Sequence, residues 1–257
     1  MRTVADVVEA LGARTGSEKA AAWDPVGLQL GDAGAVVESV AVCHEVTDEV
    51  VEALRVETPD LLITYHPLLF APTNRLTAGR SAEARAYSLV SMGVGLFVTH
   101  TDFDAAPGGS ADALADLISL REVEPFGDDD ADGPREIGRV GEFDASLDAL
   151  DALLCDAFGH AGIRISGDRD RHLEKVAVVP GSGSHLIEVA AGLADALVTG
   201  DVSHHRAVRA TDLGLSIVDP GHIATERPGL QALVEMVGEI TDGRIIDLTH
   251  IDPQTWQ

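Results

Sequence analysis

Lysine is almost missing from this chain of 257 residues: Lys19 and Lys175 are the only two. The other sixteen basic residues are arginines, set against 43 acidic ones for a formal net charge of -25. A protein that neutralises phosphates needs clustered Lys and Arg, so nucleic acid is not an expected partner. Arg164, Arg169 and Arg171 form the one local basic group, and Asp168 and Asp170 interrupt it. The acidity reads as adaptation to very high salt, a halophilic character, where the Debye length falls to roughly 3 Å and self-repulsion is screened. An acidic surface made for a basic partner is the alternative. Cysteine is scarce as well. Cys43 and Cys155 show neither metal-site spacing nor a disulfide framework, and both read as buried free thiols. No apolar run approaches the roughly 20 residues needed to span a bilayer. The opening Met-Arg-Thr-Val-Ala-Asp has no apolar signal region, so a soluble cytoplasmic protein is expected.

What is present is an alternation of strand and helix patterns. With 45% hydrophobic residues the chain can fill one large or two small α/β domains. Val4, Val7, Val8 and Leu11 recur at helical spacing. A β-branched strand is predicted over 36–43, a helix capped by Thr47 to about 57, and short strands over 61–64 and 94–99, with helices near 82–91 and 110–119. The stretch 125–134, rich in Asp, Gly and Pro, is read as the break between an N-terminal lobe, 1–126, and a C-terminal lobe, 135–257, with 127–134 an acidic loop. The second lobe is predicted to run strand 137–142, helix 146–158, strands 163–166 and 176–179, helix 184–192, strand 195–199, helix 203–213, strand 215–218 and a long helix to about 239. That last helix could pack back on the first lobe. A strand near 244–248 follows. The pattern predicts two α/β lobes with mostly parallel mixed sheets.

Several predicted strands run out into histidines and carboxylates, at the sheet edge where ligands bind in open α/β folds. Leu62-Ile63-Thr64 delivers Tyr65 and His66, and Pro67 stops the strand. Val98-Thr99 leads into His100, Asp102 and Asp104 before a Gly-rich turn. Thr199-Gly200-Asp201 precedes His204 and His205. Asp219-Pro220-Gly221 breaks a strand just before His222 and Glu226, which at a spacing of four can face one way across the first helical turn. Read singly, each is as easily a cap, a turn residue or a satisfied histidine. Together they make a mixed imidazole and carboxylate donor set, which suits Zn, Mn, Fe, Ni or Co better than Mg or Ca. Pro180-Gly181-Ser182-Gly183-Ser184 reads as a tight βα turn; a phosphate-binding loop is the alternative, though no Gly-Lys-Ser/Thr follows.

These residues resemble a known family, the dinuclear-metal-centre proteins called GTP cyclohydrolase I type 2 homologs, or the Nif-three-like family. The resemblance is carried by Trp23-Asp24-Pro25-Val26-Gly27-Leu28-Gln29-Leu30-Gly31, Tyr65-His66-Pro67-Leu68 and His100 to Gly109. Thr199-Gly200-Asp201 with His205, and Gly221 to Glu226, complete the set, in family order along nearly the whole chain. The resemblance implies a two-lobed subunit, a ring-shaped homohexamer, and a pair of metals held between the lobes of each subunit. The family's ligands fall on His66, Asp104, His222 and Glu226, with Glu226 bridging and His205 near the metals. One departure stands out: the family has two adjacent histidines where this chain has Tyr65-His66. The first metal keeps His66, Asp104 and Glu226. The second keeps only His222 and Glu226, unless Tyr65, His44 or His100 helps, and a neutral phenol with a pKa of about 10 is a poor ligand. One firm metal and one weak or absent one are therefore expected per subunit.

Two functions fit. The first is a metal-dependent hydrolase of a nucleotide or similar small molecule, with His205 or His100 as proton carriers and metals that lower the pKa of an attacking water. The second is a metal-binding regulatory or chaperone-like hexamer without turnover. The segment Trp23 to Gly27 either lines the site or packs the lobes, and Trp23 is read first as packing.

Overall fold

A computed structural model describes residues 2–128, 136–159 and 162–251. In chain order the elements are β1 (Arg2–Thr3), α1 (Val4–Thr15), β2 (Gly27–Leu30), β3 (Val36–Val37), β4 (Ser39–Cys43), α2 (Asp48–Val56) and β5 (Leu61–Thr64). Then come α3 (Ala82–Met92), β6 (Gly95–Val98), α4 (Thr101–Ala105), α5 (Ser110–Leu117), β7 (Arg121–Phe126), β8 (Gly138–Ser146) and α6 (Leu147–Phe158). The chain finishes with β9 (Arg164–Ser166), β10 (His172–Val178), α7 (Ile187–Ala191), β11 (Ala196–Val198), α8 (His204–Asp212), β12 (Ser216–Asp219), α9 (His222–Ile240) and β13 (Arg244–Asp247). The acidic loop expected at 127–134 lies, from residue 129 on, outside the described residues. No described helix is long and apolar enough to cross a membrane.

The chain gathers into two units: Met1–Phe103 with Leu230–Gln257, and Asp104–Gly229. The first holds a five-stranded sheet in the order β13-β4-β5-β6-β2, parallel throughout except where β2 pairs antiparallel with β6. Its central strands are buried end to end, as strands covered on both faces must be. Val50, Leu54, Leu62, Leu89 and Leu96 form its core. The second unit holds a six-stranded sheet, β7-β8-β10-β11-β12-β9, with a parallel centre and antiparallel margins. The two sheets share a plan. An antiparallel edge strand comes first (β2, β9), then three parallel strands alternating with helices (β4-α2-β5-α3-β6, β10-α7-β11-α8-β12), and the third strand feeds a helix (α4, α9) that starts within three residues of its end. The expectation of two α/β lobes with mixed sheets holds.

One aspartate in each unit ties the start of neighbouring strands. Asp60 accepts from the backbone N–H of Glu38 and Ser39, both at 2.9 Å, and from the Ser39 hydroxyl at 3.0 Å. Asp195 takes the N–H of Glu174 and Lys175 in the same way, with Arg171 beside it. The Asp60 contacts explain why the strand predicted over 36–43 breaks at Glu38, whose N–H leaves the ladder for a carboxylate. Burial alone pushes the Asp60 carboxyl up, but these donors outweigh it and hold it below the usual range. Its stabilisation is therefore full above the unfolded carboxylate value, near pH 4, and drains away as pH falls through the lowered folded value. Asp60→Asn is expected to cost about 1–3 kcal/mol at neutral pH. The deficit should shrink in acid, as urea unfolding over a pH series would show; a constant deficit would speak against it.

Four elements escaped the sequence. β1 is only two residues long, too short to show a period. β7 is exposed along most of its length and contains Pro125, so it lacks the apolar signature of a buried strand. β2 is half-buried throughout, and α4 is a single turn. Of the two thiols, Cys43 is buried, and burial pushes it up to about 12, whereas Cys155 is only partly covered on α6.

Candidate functional site

In the first unit the histidines sit where parallel pairing overruns the strand ends. Beyond β4 and β5, the Tyr65 N–H donates to the Cys43 carbonyl at 3.1 Å and the His66 N–H to the His44 carbonyl at 2.9 Å. The Thr64 hydroxyl donates to the carbonyls of His44 and His66, both at 3.1 Å. This brings the His44 and His66 rings to 4.7 Å. Tyr65, 1% exposed, stacks on both, at 5.6 Å from His44 and 5.1 Å from His66. His100, just past β6, lies 5.2 Å from His66 and 5.6 Å from Tyr65. Three successive parallel strands thus each contribute an imidazole at one edge of the sheet.

His100 is held from behind. Its Nδ1 lies 3.0 Å from Asp24 Oδ2, which also accepts from the N–H and hydroxyl of Thr101. Burial raises the Asp24 carboxyl, but the His100 pair and the Thr101 donors prevail and set it below the usual range. Its other oxygen, Oδ1, is buried without a hydrogen-bond partner among the described residues. Asp102 is a loop cap: it accepts from the Thr99 hydroxyl, the His100 N–H and the Thr15 hydroxyl. Gln29 on β2 bonds the carbonyls of Pro25 and Leu69 and receives the Leu69 N–H, clamping two loops together. Those loops carry Trp23 and Phe70, each 57% exposed and each edge-on to His100 at 6.2 and 6.3 Å. Trp23, read as a packing residue, keeps most of its ring uncovered.

In the second unit, His222 opens α9. Its Nε2 lies 2.9 Å from Glu226 Oε1, one turn on, and its Nδ1 lies 2.8 Å from Asp201 Oδ2. Burial pushes the imidazole down, but Glu226 and then Asp201 overcome this and bring it up to about 9. Glu226 is nearly fully buried. Asp201 reaches His222 from a left-handed backbone conformation, φ 55°, a strained state that non-glycine residues adopt where the surroundings demand it. Gly181, at φ 62°, faces this pair. A Cβ there would stand 2.5 Å from Glu226 Oε1 and 3.3 Å from His222 Nε2, so glycine keeps the space before both donors open. The Gly181 N–H goes to the Thr225 hydroxyl and the Gly183 N–H to the Thr199 hydroxyl. The loop 180–184 spends these donors internally, as a tight turn does.

Of the predicted site residues, His66, Tyr65 and His100 cluster together, and His222 meets Glu226. Asp104 is buried on α4, and the carbonyls of the next two residues receive the buried Arg139 guanidinium. His205 is exposed on the first turn of α8, its ring 5.5 Å from that of His204. Two functional contributors were not singled out from sequence alone: Asp24 and Asp201 each hold a histidine by Nδ1. His44, offered by the sequence only as a helper for the second metal, sits beside His66. Asp24 and Asp201 do lie in quoted motifs, but an aspartate in a turn is usually a turn residue, and nothing local pairs it with a histidine 21 or 76 positions away.

A family model described as Duf34/NIF3 (NGG1p interacting factor 3) matches residues 2–253. A protein of Streptomyces coelicolor named GTP cyclohydrolase 1 type 2 homolog is 33% identical over 272 residues, covering 99% of this chain and 94% of its own. Among solved structures, reduced HcgD from Methanocaldococcus jannaschii is 28% identical with a TM-score of 0.82, covering 96% of this chain and 98% of its own. A Bacillus cereus protein related to NIF3 superposes with a TM-score of 0.89 at 20% identity, over 100% of this chain and 99% of its own, a likeness of fold. Matched over nearly its full length, the chain belongs to the Duf34/NIF3 family.

Proposed function

We propose that this protein binds a divalent transition metal and uses it to hydrolyse a nucleotide or related small molecule. The observation that carries the reading is the His222–Glu226 pair, with Asp201 behind the imidazole and Gly181 leaving the space before both donors open. A metal-ligating histidine typically gives its second ring nitrogen to a carboxylate, which fixes the tautomer and aims the other nitrogen. The donor chemistry fits Zn, Mn, Fe, Ni or Co. By family resemblance His66 and Asp104 complete the ligand set and Glu226 bridges. On that set one metal is firmly held, while the second is short of a ligand at Tyr65. When bound, the metal polarises a substrate oxygen and lowers the pKa of water.

The remaining roles belong to the chain. In the tautomer that donates Nδ1–H to Asp24, His100 presents Nε2 as the atom that accepts and returns a proton. His205 is the other proton carrier, open to solvent. Trp23 and Phe70 offer exposed rings on which a planar base can stack, worth about 1–3 kcal/mol per base. The relatives' name, GTP cyclohydrolase 1 type 2 homolog, agrees with a nucleotide substrate. The working particle in this reading is a ring-shaped homohexamer in a salt-rich cytoplasm, its charge of -25 screened there.

The test is a metal-stripped preparation reloaded with Mn or Zn and assayed against a nucleotide panel. Metal-dependent turnover is expected. Tight metal binding with no turnover across the panel would favour a metal-binding regulatory or chaperone-like hexamer instead. The observation on that side is Tyr65, a buried phenol where the family carries a ligand.

A further inference from the structure

The three strand ends of the first unit are not equivalent as metal donors. His66 is a ligand in the reading above. Tyr65 precedes it with its ring buried against both imidazoles, and as a neutral phenol it donates poorly to a divalent ion. His100 has its Nδ1 on Asp24 and its ring edge-on to Trp23 and Phe70, which suits proton transfer and substrate contact. His44 differs from all of these. It stands on the neighbouring parallel strand, directly past β4, and is 1% exposed. A ring nitrogen of His44 lies within 4.8 Å of one of His66. The two ions of a paired site stand roughly 3.5–4 Å apart, so imidazole nitrogens at this separation suit one ligand on each ion, His66 on the first and His44 on the second.

We propose that His44 is a metal ligand, the second imidazole beside His66, filling from strand β4 the role that Tyr65 cannot fill from strand β5. The inference rests on the metal-binding reading above and changes its stoichiometry: the second metal position is no longer short of a histidine. It also gives the buried imidazole of His44 a purpose. Cys43, next to it, is not a competing donor, because it packs in the hydrophobic core of the first unit.

The test combines variants with metal-edge X-ray absorption on the full-length protein loaded with Zn. Wild type is expected to hold two equivalents per chain with imidazole scattering at both. His44→Gln, close in size and checked for a native circular dichroism spectrum, should lose at least ~10-fold in affinity for one equivalent, together with one imidazole from the absorption spectrum. Tyr65→Phe should change neither. The double variant His44→Gln/Tyr65→His should recover the lost equivalent, because it moves the imidazole back one strand. If His44→Gln keeps wild-type affinity and imidazole count while His66→Ala loses metal, the proposal is overturned and the metal-binding reading stands. If wild type itself takes up no metal, both fall. Should His44→Gln fail to fold, the wild-type spectrum still decides: a single occupied site of low imidazole count overturns the proposal.

Discussion

Glu226→Ala is expected to empty the protein of metal and, with it, any metal-dependent turnover, while leaving the chain folded. The side chain is 3% exposed and its Oε1 lies 2.9 Å from His222 Nε2. A carboxylate that close to an imidazole, in space that Gly181 keeps open, puts an anionic and an imidazole donor at one point. Even groups one shell removed from a metal typically cost 10–100-fold in affinity, so loss of a carboxylate proposed as a direct ligand should cost about 100-fold or more. The effect on folding is smaller. Without Glu226, His222 keeps Asp201 at Nδ1 and simply titrates lower, so the cost is that of a lost charged hydrogen bond, about 1.5–3 kcal/mol. Metal per chain after dialysis, read beside thermal unfolding of the metal-free protein, separates the two. Glu226→Gln is the useful control, since it keeps the volume and removes the charge. Stoichiometric metal in Glu226→Ala would remove Glu226 from the centre.

Much of this fold could be read from the amino acids because its central strands are buried on both faces. Leu61-Leu62-Ile63 is a short apolar run after Pro59-Asp60, and the strand it opens, Leu61–Thr64, is fully buried, so pattern and burial say the same thing. The helices with Ser or Thr caps were equally plain: Thr47, Ser146 and Ser203 each accept from the third residue ahead. Edge strands carry no such signal. β7 alternates charged residues around Val123 and ends on Pro125-Phe126, so its polarity reads as loop. The passage of the chain between units is silent too. It falls at residues 103/104 and 229/230, inside α4 and α9, where no composition shift marks it; the acidic stretch near 127–134 is far more conspicuous and lies elsewhere.

The site divides along similar lines. The histidines at strand ends were legible because several predicted strands run out into His and carboxylate residues at the same kind of edge, which no single one of them would have made plain. Their supporting carboxylates were not, since the pairs Asp24–His100 and Asp201–His222 are made by tertiary packing. His44 was legible only as a helper near the second metal. It is followed by Glu45 and a helix start, so it looks like any polar residue leaving a strand, and only parallel pairing with the Tyr65-His66 extension gives it neighbours.

Gly200→Ala is expected to be more damaging than its size implies. A Cβ at Gly200 would fall 2.5 Å from the His222 nitrogen, 2.6 Å from its Cα and 2.7 Å from the Gly221 carbonyl carbon. All three are backbone atoms at the start of α9, so no rotamer change relieves the clash. The contact lies about 1 Å inside ordinary van der Waals separation. Relief requires moving the Gly221-His222 backbone by that amount or breaking the bond from the Gly200 N–H to the Gly181 carbonyl, 2.7 Å long. Overpacking of this kind costs about 1–3 kcal/mol and occasionally more, which in a chain of this size lowers Tm by about 2–12 °C. Displacing His222 by ~1 Å should also weaken metal binding, by roughly the 10–100-fold that disturbed ligand orientation costs. Gly181→Ala makes the informative comparison. There the nearest atom is the mobile end of Glu226, at 2.5 Å, and the strain comes from φ 62°. That variant should lose metal affinity with the smaller loss of stability, whereas Gly200→Ala should lose both together. A Gly200→Ala protein with wild-type Tm and wild-type metal affinity would show that the His222 backbone is not held where the site needs it.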